Sequence, residues 1–231
     1  MILSVFRVRS FRFQLPADLL TSWAFEMETL ILGWFVMVHT GSVLLLTLFA
    51  SLQFGGALTS PLFGVLGDRL GGRFMLCAMR TTYAGFAALF AILAFTGSLT
   101  TARVFVLAGL VGIVRSNDLV MRNWLIGETI PGSLVGGAVG MSRAITDAAR
   151  ITGALVGASL STALGVGFAY LAVTVFYLAG LALTFGIARR RPVADPAKLA
   201  AGAGPAVVRS SGWRDLKEGV TYVLRTRPWS R

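Results

Sequence analysis

Residues 64–73, GVLGDRLGGR, form a short polar and glycine-rich stretch between two long apolar segments. Asp68, Arg69 and Arg73 lie close together in it, which makes the stretch too polar to contact lipid tails. We therefore expect a tight loop at a membrane surface. Because basic residues concentrate in the cytoplasmic loops of membrane proteins, we expect this loop on the cytoplasmic side.

The composition of the whole chain indicates an integral membrane protein. Of its 231 residues, 55% are hydrophobic and 13% are charged, whereas soluble domains carry about 25% charged residues. The net charge of +11 does not indicate a nucleic-acid partner, because the basic residues lie at the ends of apolar segments. A single cysteine, Cys77, and a single histidine, His39, predict no internal disulfide, no metal site and no cofactor.

Six apolar segments of about 20 residues, the length that crosses a bilayer core, predict an all-α membrane protein with a bundle of six transmembrane helices. We place these helices near residues 16–38, 42–66, 74–96, 103–123, 137–162 and 165–188. Arg103 is the basic residue of the predicted outer turns. The predicted inner segments hold many more, which predicts cytoplasmic termini: Arg7, Arg9, Arg12, Arg69, Arg73, Arg122 and residues 189–191.

The predicted domains are a cytoplasmic tail at residues 1–14, the transmembrane bundle at 15–188 and a cytoplasmic linker at 189–231. In the tail, Phe6, Phe11 and Phe13 are interspersed with arginines, so we expect these rings to lie against lipid headgroups. In the linker, residues 213–225 have the spacing of an amphipathic helix. Pro61 is expected to kink the second transmembrane helix.

Two predicted helices carry charges inside the membrane, where ionisable residues are rare and commonly functional. The fourth holds Arg115, Asp118 and Arg122, which helical spacing places on one face. The fifth holds a second such set, which consists of Arg143, Asp147 and Arg150. In an antiparallel helix pair the two sets would lie at matching depths. Glu26 and Glu28 in the first helix are the available counter-charges.

Two interpretations of these charges remain open. In the functional one, Arg115 or Arg150 binds anionic groups of a substrate, and one of the four carboxylates carries protons. In the structural one, the charges form ion pairs that lock the first, fourth and fifth helices together. We expect three arginines nearer the cytoplasmic surface to extend their side chains towards water. The four carboxylates are those of Glu26, Glu28, Asp118 and Asp147, and the three arginines are Arg80, Arg122 and Arg143.

The loop at residues 64–73 resembles the signature loop between the second and third helices of major facilitator superfamily transporters. Gly72 stands where that family usually has a basic residue. Residues 213–222, WRDLKEGVTY, are similar to the branch that contains enterobactin exporters and macrolide-efflux proteins. Residues 150–157, RITGALVG, resemble the family's antiporter segment at Arg150 and Gly153, and Ala154 replaces the proline of that segment. The residues that match the signature loop are Gly64, Asp68, Arg69, Gly71 and Arg73.

The resemblance implies the six-helix N-terminal half of a transporter whose substrate path lies between two halves. The partner would be a missing C-terminal six-helix half, or a second copy of this chain. It also implies a gating role for the signature loop. Asp68 would hold the cytoplasmic side closed, Arg69 and Arg73 would support it, and Arg122 would be a local partner of Asp68.

The function that this resemblance implies is secondary active transport, as proton-coupled efflux of a small molecule such as a drug or a siderophore. The chain would be a truncated half of such a transporter in a bacterial inner membrane. The alternative is a membrane scaffold or assembly subunit that binds other helices through glycine-rich faces, including Gly153 and Gly157. An enzyme is not expected, because the sequence has no nucleotide-binding loop and no cluster of catalytic residue types.

Overall fold

The computed structural model describes residues 2–187 of the chain, so the predicted linker at 189–231 and its helix at 213–225 lie outside the described residues. The described part contains eight α-helices and two short 3-10 helices, Ile2–Arg7 and Gly55–Thr59. The α-helices are α1 Arg9–Thr40, α2 Val43–Phe54, α3 Ser60–Leu70, α4 Gly72–Phe95, α5 Thr101–Arg115, α6 Asp118–Thr129, α7 Gly132–Leu164 and α8 Val166–Phe185.

Four helical segments of the described chain are long and apolar enough to cross a membrane. They are α1, α4, the stretch Thr101–Thr129 that contains α5 and α6, and α8. The prediction of an all-α membrane protein is therefore confirmed for the described residues. The count of six spans stays a prediction, because it also needs α7 and the interrupted pair α2 and α3.

The central helix of the bundle is α1, which packs against both α7 and α8. Two glycines of α7 allow the close approach to α1. A Cβ atom at Gly153 would lie 3.1 Å from the backbone oxygen of Trp23, and one at Gly157 would lie 2.8 Å from the Cα of Met27. These glycines are therefore covered by α1 of the same chain and do not form the free face that the scaffold hypothesis assigned to them.

The first helix begins earlier than predicted, at Arg9 instead of near residue 16. Phe11 is fully buried, in a small cluster with Val5 and Leu15 of the same region and with residues of α6 and α7. The expectation that Phe11 lies against lipid headgroups is therefore wrong. The periodic arginines suggested an interfacial segment, but Arg7, Arg9 and Arg12 occupy the exposed side of a segment whose other side is packed.

The second and fourth predicted helices are both interrupted, and the interruptions touch each other. A Cβ atom at Gly56 would collide with the backbone of Gly112 and Ile113, and one at Gly112 would collide with the backbone of residue 52. Polar side chains satisfy the carbonyl groups that the breaks release, as a membrane interior requires. Ser116 Oγ donates to the carbonyl of residue 53 at 3.2 Å, and Asn117 Nδ2 donates to that of Gly56 at 3.2 Å.

These breaks change two details of the prediction. The irregular segment precedes Pro61, which lies in the first turn of α3, so the interruption begins before the proline. Arg115 is the last residue of α5 and Asp118 is the first residue of α6. The charges of the fourth segment therefore do not lie along one continuous helix, as their spacing had suggested.

Candidate functional site

Four charged side chains form a buried ion network near the start of α1. The Nη2 atom of Arg80, on α4, lies 2.5 Å from Oδ1 of Asp18, and Nε of Arg122, on α6, lies 3.7 Å from the same oxygen. Arg122 also pairs closely with Asp118, four residues earlier on α6. All four residues are at most 3% exposed. Two arginines and two aspartates leave this buried network without a formal net charge.

Hydrogen bonds from these arginines to uncharged acceptors extend the network to a fourth helix. Arg80 Nη1 donates to the carbonyl oxygen of Gly180 at 3.2 Å and also to the hydroxyl of Thr184, both on α8. Arg122 Nη1 donates to the carbonyl oxygen of Asp18 at 3.1 Å and to Ser22 Oγ at 2.8 Å. The network therefore joins α1, α4, α6 and α8.

The burial of these arginines corrects one prediction. Arg80 and Arg122 were expected to extend into water near the cytoplasmic surface, yet they are 0% and 2% exposed. The carboxylate of Asp18, which lies on α1 and is far from both arginines in the sequence, compensates their charge and allows them to be buried. The predicted contact between Arg122 and Asp68 stays a prediction, because the side chain of Asp68 lies outside the described residues.

A second polar group lies farther along α1, around Glu28. The hydroxyl of Tyr177 donates to Glu28 Oε2 at 2.8 Å, and Glu28 is 4% exposed. Arg115 donates to Gln53 Oε1 at 2.6 Å, and its guanidinium lies 4.5 Å from the ring centroid of Phe25. Glu28, Gln53 and Arg115 line a cavity of about 10 Å³, which is about the smallest space that holds a water molecule.

The charges of α7 have different surroundings. The side chains of Arg143, Asp147 and Arg150 are 57%, 54% and 61% exposed. Asp147 lies 3.9 Å from each of these arginines, and Arg150 Nε lies 3.6 Å from Oε1 of Glu26. The two charge sets that the sequence predicted at matching depths therefore do not share one environment, since Arg115 turns towards α1 and Arg150 lies on the outer surface of α7.

An open groove lies between α1, α2 and α7, next to this exposed set. Its volume is about 540 Å³. The lining is mostly apolar or small, and Glu26 contributes a carboxylate to it. We call it the α1–α7 groove, and it is lined by Glu26, Thr29, Leu30, Gly33, Trp34, Met37, Leu46, Ala154, Ala158, Ser161 and Thr162.

The sequence predicted a tight loop at residues 64–73, but most of this stretch is helical and the turn narrows to Gly71. Helix α3 ends at Leu70 and α4 begins at Gly72, and Gly71 between them has φ of 84°, a backbone conformation that favours glycine. Arg73 Nη2 donates to the carbonyl oxygen of Phe185 at 2.7 Å, which satisfies a free carbonyl at the end of α8. The side chains of Asp68 and Arg69 lie outside the described residues.

A family model described as Major Facilitator Superfamily matches residues 17–229. The chain belongs to the major facilitator superfamily. This match covers most of the chain and includes the turn at residues 64–73, so the resemblance seen in the sequence is confirmed at the level of the superfamily. A search of curated proteins found no match to this chain.

Membership in the major facilitator superfamily indicates a transporter. Sequence reasoning placed emphasis on Glu26, Glu28 and the two charge sets, but it missed Asp18 as the partner of two arginines. The signal was present, because Asp18 is an ionisable residue within the predicted first span. Tyr177 and Gln53 were also missed, and each is a polar residue inside an apolar segment.

Proposed function

We propose that this member of the major facilitator superfamily exports a small molecule, such as a drug or a siderophore, and that proton movement drives the export. The observation that carries the proposal is the arrangement of two carboxylates on α1. Glu28 is buried beside Tyr177, and Glu26 lines the open groove. Each residue turns an α-helix by about 100°, so residues two apart point in widely different directions.

Glu28 is the residue that we assign to proton coupling. A carboxylate buried within a membrane is costly unless it is paired or can bind a proton, and such residues commonly mark proton paths. The hydroxyl of Tyr177 already donates to Glu28, and Arg115 lines the same small cavity. Binding of a proton to Glu28 would therefore change the charge balance beside Arg115.

The proposal assigns different roles to the other charged residues that the sequence singled out. Glu26 and Arg150 form an ion pair at the edge of the groove, which suits contact with substrate, whereas Asp118 is paired with Arg122 inside the network. Asp147 lies on the exposed side of α7 between two arginines. Exposed charges at membrane depth need water or protein next to them instead of lipid.

The partner that would cover the charged side of α7 is a second six-helix half or a second copy of this chain. The proposal includes six spans with cytoplasmic termini in a bacterial inner membrane, and the family match and the basic residues of the predicted inner loops support it. The similarity to enterobactin exporters and macrolide-efflux proteins belongs to the same proposal. It rests on the sequence of residues 213–222, WRDLKEGVTY, and residues 150–157 resemble the family's antiporter segment except at Ala154.

The signature loop is proposed to gate the cytoplasmic side. Asp68 would make the closing contact, and Arg69 and Arg73 would support it. Arg73 donates a hydrogen bond to the carbonyl oxygen of Phe185 at the end of α8. A movement of the loop would therefore change the contact between the loop and α8. Asp68→Asn should therefore reduce transport while the protein still inserts into the membrane at its normal level.

The test is export of a fluorescent drug from bacteria that lack their own efflux pumps and express this chain. We expect export that a protonophore abolishes. Glu28→Gln, which keeps the shape of the side chain but cannot release a proton, should stop export, and Glu28→Asp should retain part of it. The proposal is wrong if Glu28→Gln exports at the wild-type rate or if the protonophore has no effect on export.

A further inference from the structure

We propose that three exposed arginines at the start of α1 bind the phosphate group of an anionic phospholipid. We call Arg7, Arg9 and Arg12 together the N-terminal arginine surface. This site goes beyond the proposed function, because it would hold a lipid whether or not the protein moves a substrate. It places charged side chains at the lipid headgroups, whereas the sequence alone indicated aromatic rings there.

The positive charges of this surface have no carboxylate to balance them. All three arginines are exposed, and no aspartate or glutamate occurs among residues 1–17. Asp18, the first carboxylate in the sequence, is 1% exposed and pairs with arginines of α4 and α6. Within the described part of the chain the three arginines form no ion pair, and the side chains of Arg7 and Arg9 also make no hydrogen bond. The surface therefore attracts an anion.

The backbone that carries these arginines is already held in place. Val5 and Phe11 are 1% and 0% exposed, and they pack against residues of α6 and α7. Arg12 Nε donates to the carbonyl oxygen of Phe6 at 2.5 Å, which joins α1 to the 3-10 helix before it. Because the segment is ordered by its buried side, an anion that binds to the exposed side does not have to pay for ordering the backbone.

The depth of the surface in the membrane indicates a lipid as the source of the anion. Helix α1 has 32 residues, which correspond to a length of about 48 Å. The hydrocarbon core of a bilayer is only about 30 Å thick, and the headgroup layers bring the total to about 40–45 Å. When the apolar part of α1 lies in the core, its first turn, which contains Arg9 and Arg12, therefore lies among the headgroups.

The chemistry of the side chains favours a lipid with a net negative charge. A guanidinium group donates paired hydrogen bonds to phosphate oxygens, and basic residues next to a membrane span attract anionic lipids. Phosphatidylglycerol presents a phosphate whose charge is not compensated. Phosphatidylcholine presents the same phosphate together with a quaternary ammonium group, which the three arginines would repel.

The experiment compares phosphatidylglycerol with phosphatidylcholine of the same acyl chains. Each lipid is titrated into the full chain in nonionic detergent, and native mass spectrometry counts the lipids that remain bound. We expect the wild-type chain to bind phosphatidylglycerol at least tenfold more tightly, which corresponds to about 1.4 kcal/mol. This comparison needs no variant, so it holds even if a substitution disturbs folding.

Variants then locate the site. The double variant Arg7→Gln, Arg9→Gln should bind phosphatidylglycerol about tenfold more weakly and phosphatidylcholine as before, and Arg7→Lys, Arg9→Lys should retain most of the affinity because it keeps the charge. Arg12 stays unchanged, since it contacts the carbonyl oxygen of Phe6. The control is Arg143→Gln, Arg150→Gln, which removes the same charge from positions where carboxylates already lie close to the arginines.

Two results would overturn the proposal. One is equal affinity of the wild-type chain for the two lipids. The other is an affinity for phosphatidylglycerol that falls no further in Arg7→Gln, Arg9→Gln than in the control variant. Inorganic phosphate is added in a parallel titration, and its displacement of the bound phosphatidylglycerol at equal concentration would show that the surface binds a soluble anion instead of a lipid. None of these measurements depends on export, so their outcome leaves the proposed function untouched.

Discussion

Two stretches of eight residues carry the same charges in the same order, yet their charged side chains differ in burial. Residues 115–122, RSNDLVMR, and residues 143–150, RAITDAAR, each contain arginine, aspartate and arginine. In the first stretch Asp118 and Arg122 are 3% and 2% exposed. In the second, the Asp147 side chain is 54% exposed and both arginines are more so.

The difference arises from what faces each stretch. On α1, Asp18 forms an ion pair with Arg122 and Ser22 accepts a hydrogen bond from it. These partners allow Arg122 to be buried. The second stretch lies beside the packed glycines of α7, and its charges reach α1 through the ion pair between Arg150 and Glu26. The first set of charges therefore holds the bundle together, and the second remains available for a partner, water or a ligand.

The largest effect is expected from Asp18→Asn. The change leaves two buried arginines with one carboxylate, and breaking a buried ion pair in this way costs about 3–5 kcal/mol. We expect a large fall in the thermal unfolding midpoint of the protein in detergent, measured by the loss of monodisperse protein after heating. Asp147→Asn is the control on the exposed stretch, and an equal fall in both variants would contradict the comparison.

A smaller effect is expected on the packed side of α7. Gly157→Leu places side-chain atoms where a Cβ alone would lie 2.8 Å from the Cα of Met27, and overpacking of this kind costs about 1–3 kcal/mol. Gly136→Leu is the matched control, because a Cβ there meets nothing within 4 Å. The same heating assay checks both variants. Similar losses of stability for Gly157→Leu and Gly136→Leu would show that α1 does not pack against α7 at Gly157.

The hydroxyl that contacts Glu28 provides the next comparison. Tyr177→Phe removes a donor to a buried carboxylate, which should cost about 1.5 kcal/mol and should also reduce proton-dependent export. Tyr170→Phe is the control on the same helix, because its buried hydroxyl has no hydrogen-bond partner among the described residues. If Tyr170→Phe lowers stability and export as much as Tyr177→Phe does, the bond to Glu28 is not the cause.

The smallest effect is expected from Arg143→Gln. Its side chain is 57% exposed and lies 3.9 Å from Asp147, and exposed pairs of this kind contribute about 0–1 kcal/mol. We expect an unfolding midpoint close to that of the wild-type chain. A fall as large as that of Asp18→Asn would mean that a partner already covers this side of α7 in the isolated protein.

Much of the helical architecture could be predicted from the sequence. Long apolar segments and the turn at residues 64–73 led to an all-α membrane protein and to the right superfamily. The partners of the charges could not be predicted. Arg80 and Asp18 are 62 residues apart, and helical spacing identifies the face of one helix but not the helix that lies against it.

The same limit explains the error about the fourth segment. The spacing of Arg115, Asp118 and Arg122 suggests one face of a continuous helix, but the helix breaks between the first two. The break lies close to a backbone contact between Gly56 and Gly112, which no local sequence pattern reveals. Hydrogen bonds from Ser116 and Asn117 to the opposite break allow both interruptions to exist within the bundle.

The most direct test of the comparison is a pair of double-mutant cycles on thermodynamic stability, one for Asp18 with Arg80 and one for Glu26 with Arg150. Each cycle isolates the coupling energy between two side chains. We predict a coupling of about 2–3 kcal/mol for the buried pair and of less than about 1 kcal/mol for the exposed pair. Couplings of equal size would contradict the view that one set of charges maintains the bundle while the other is free to act.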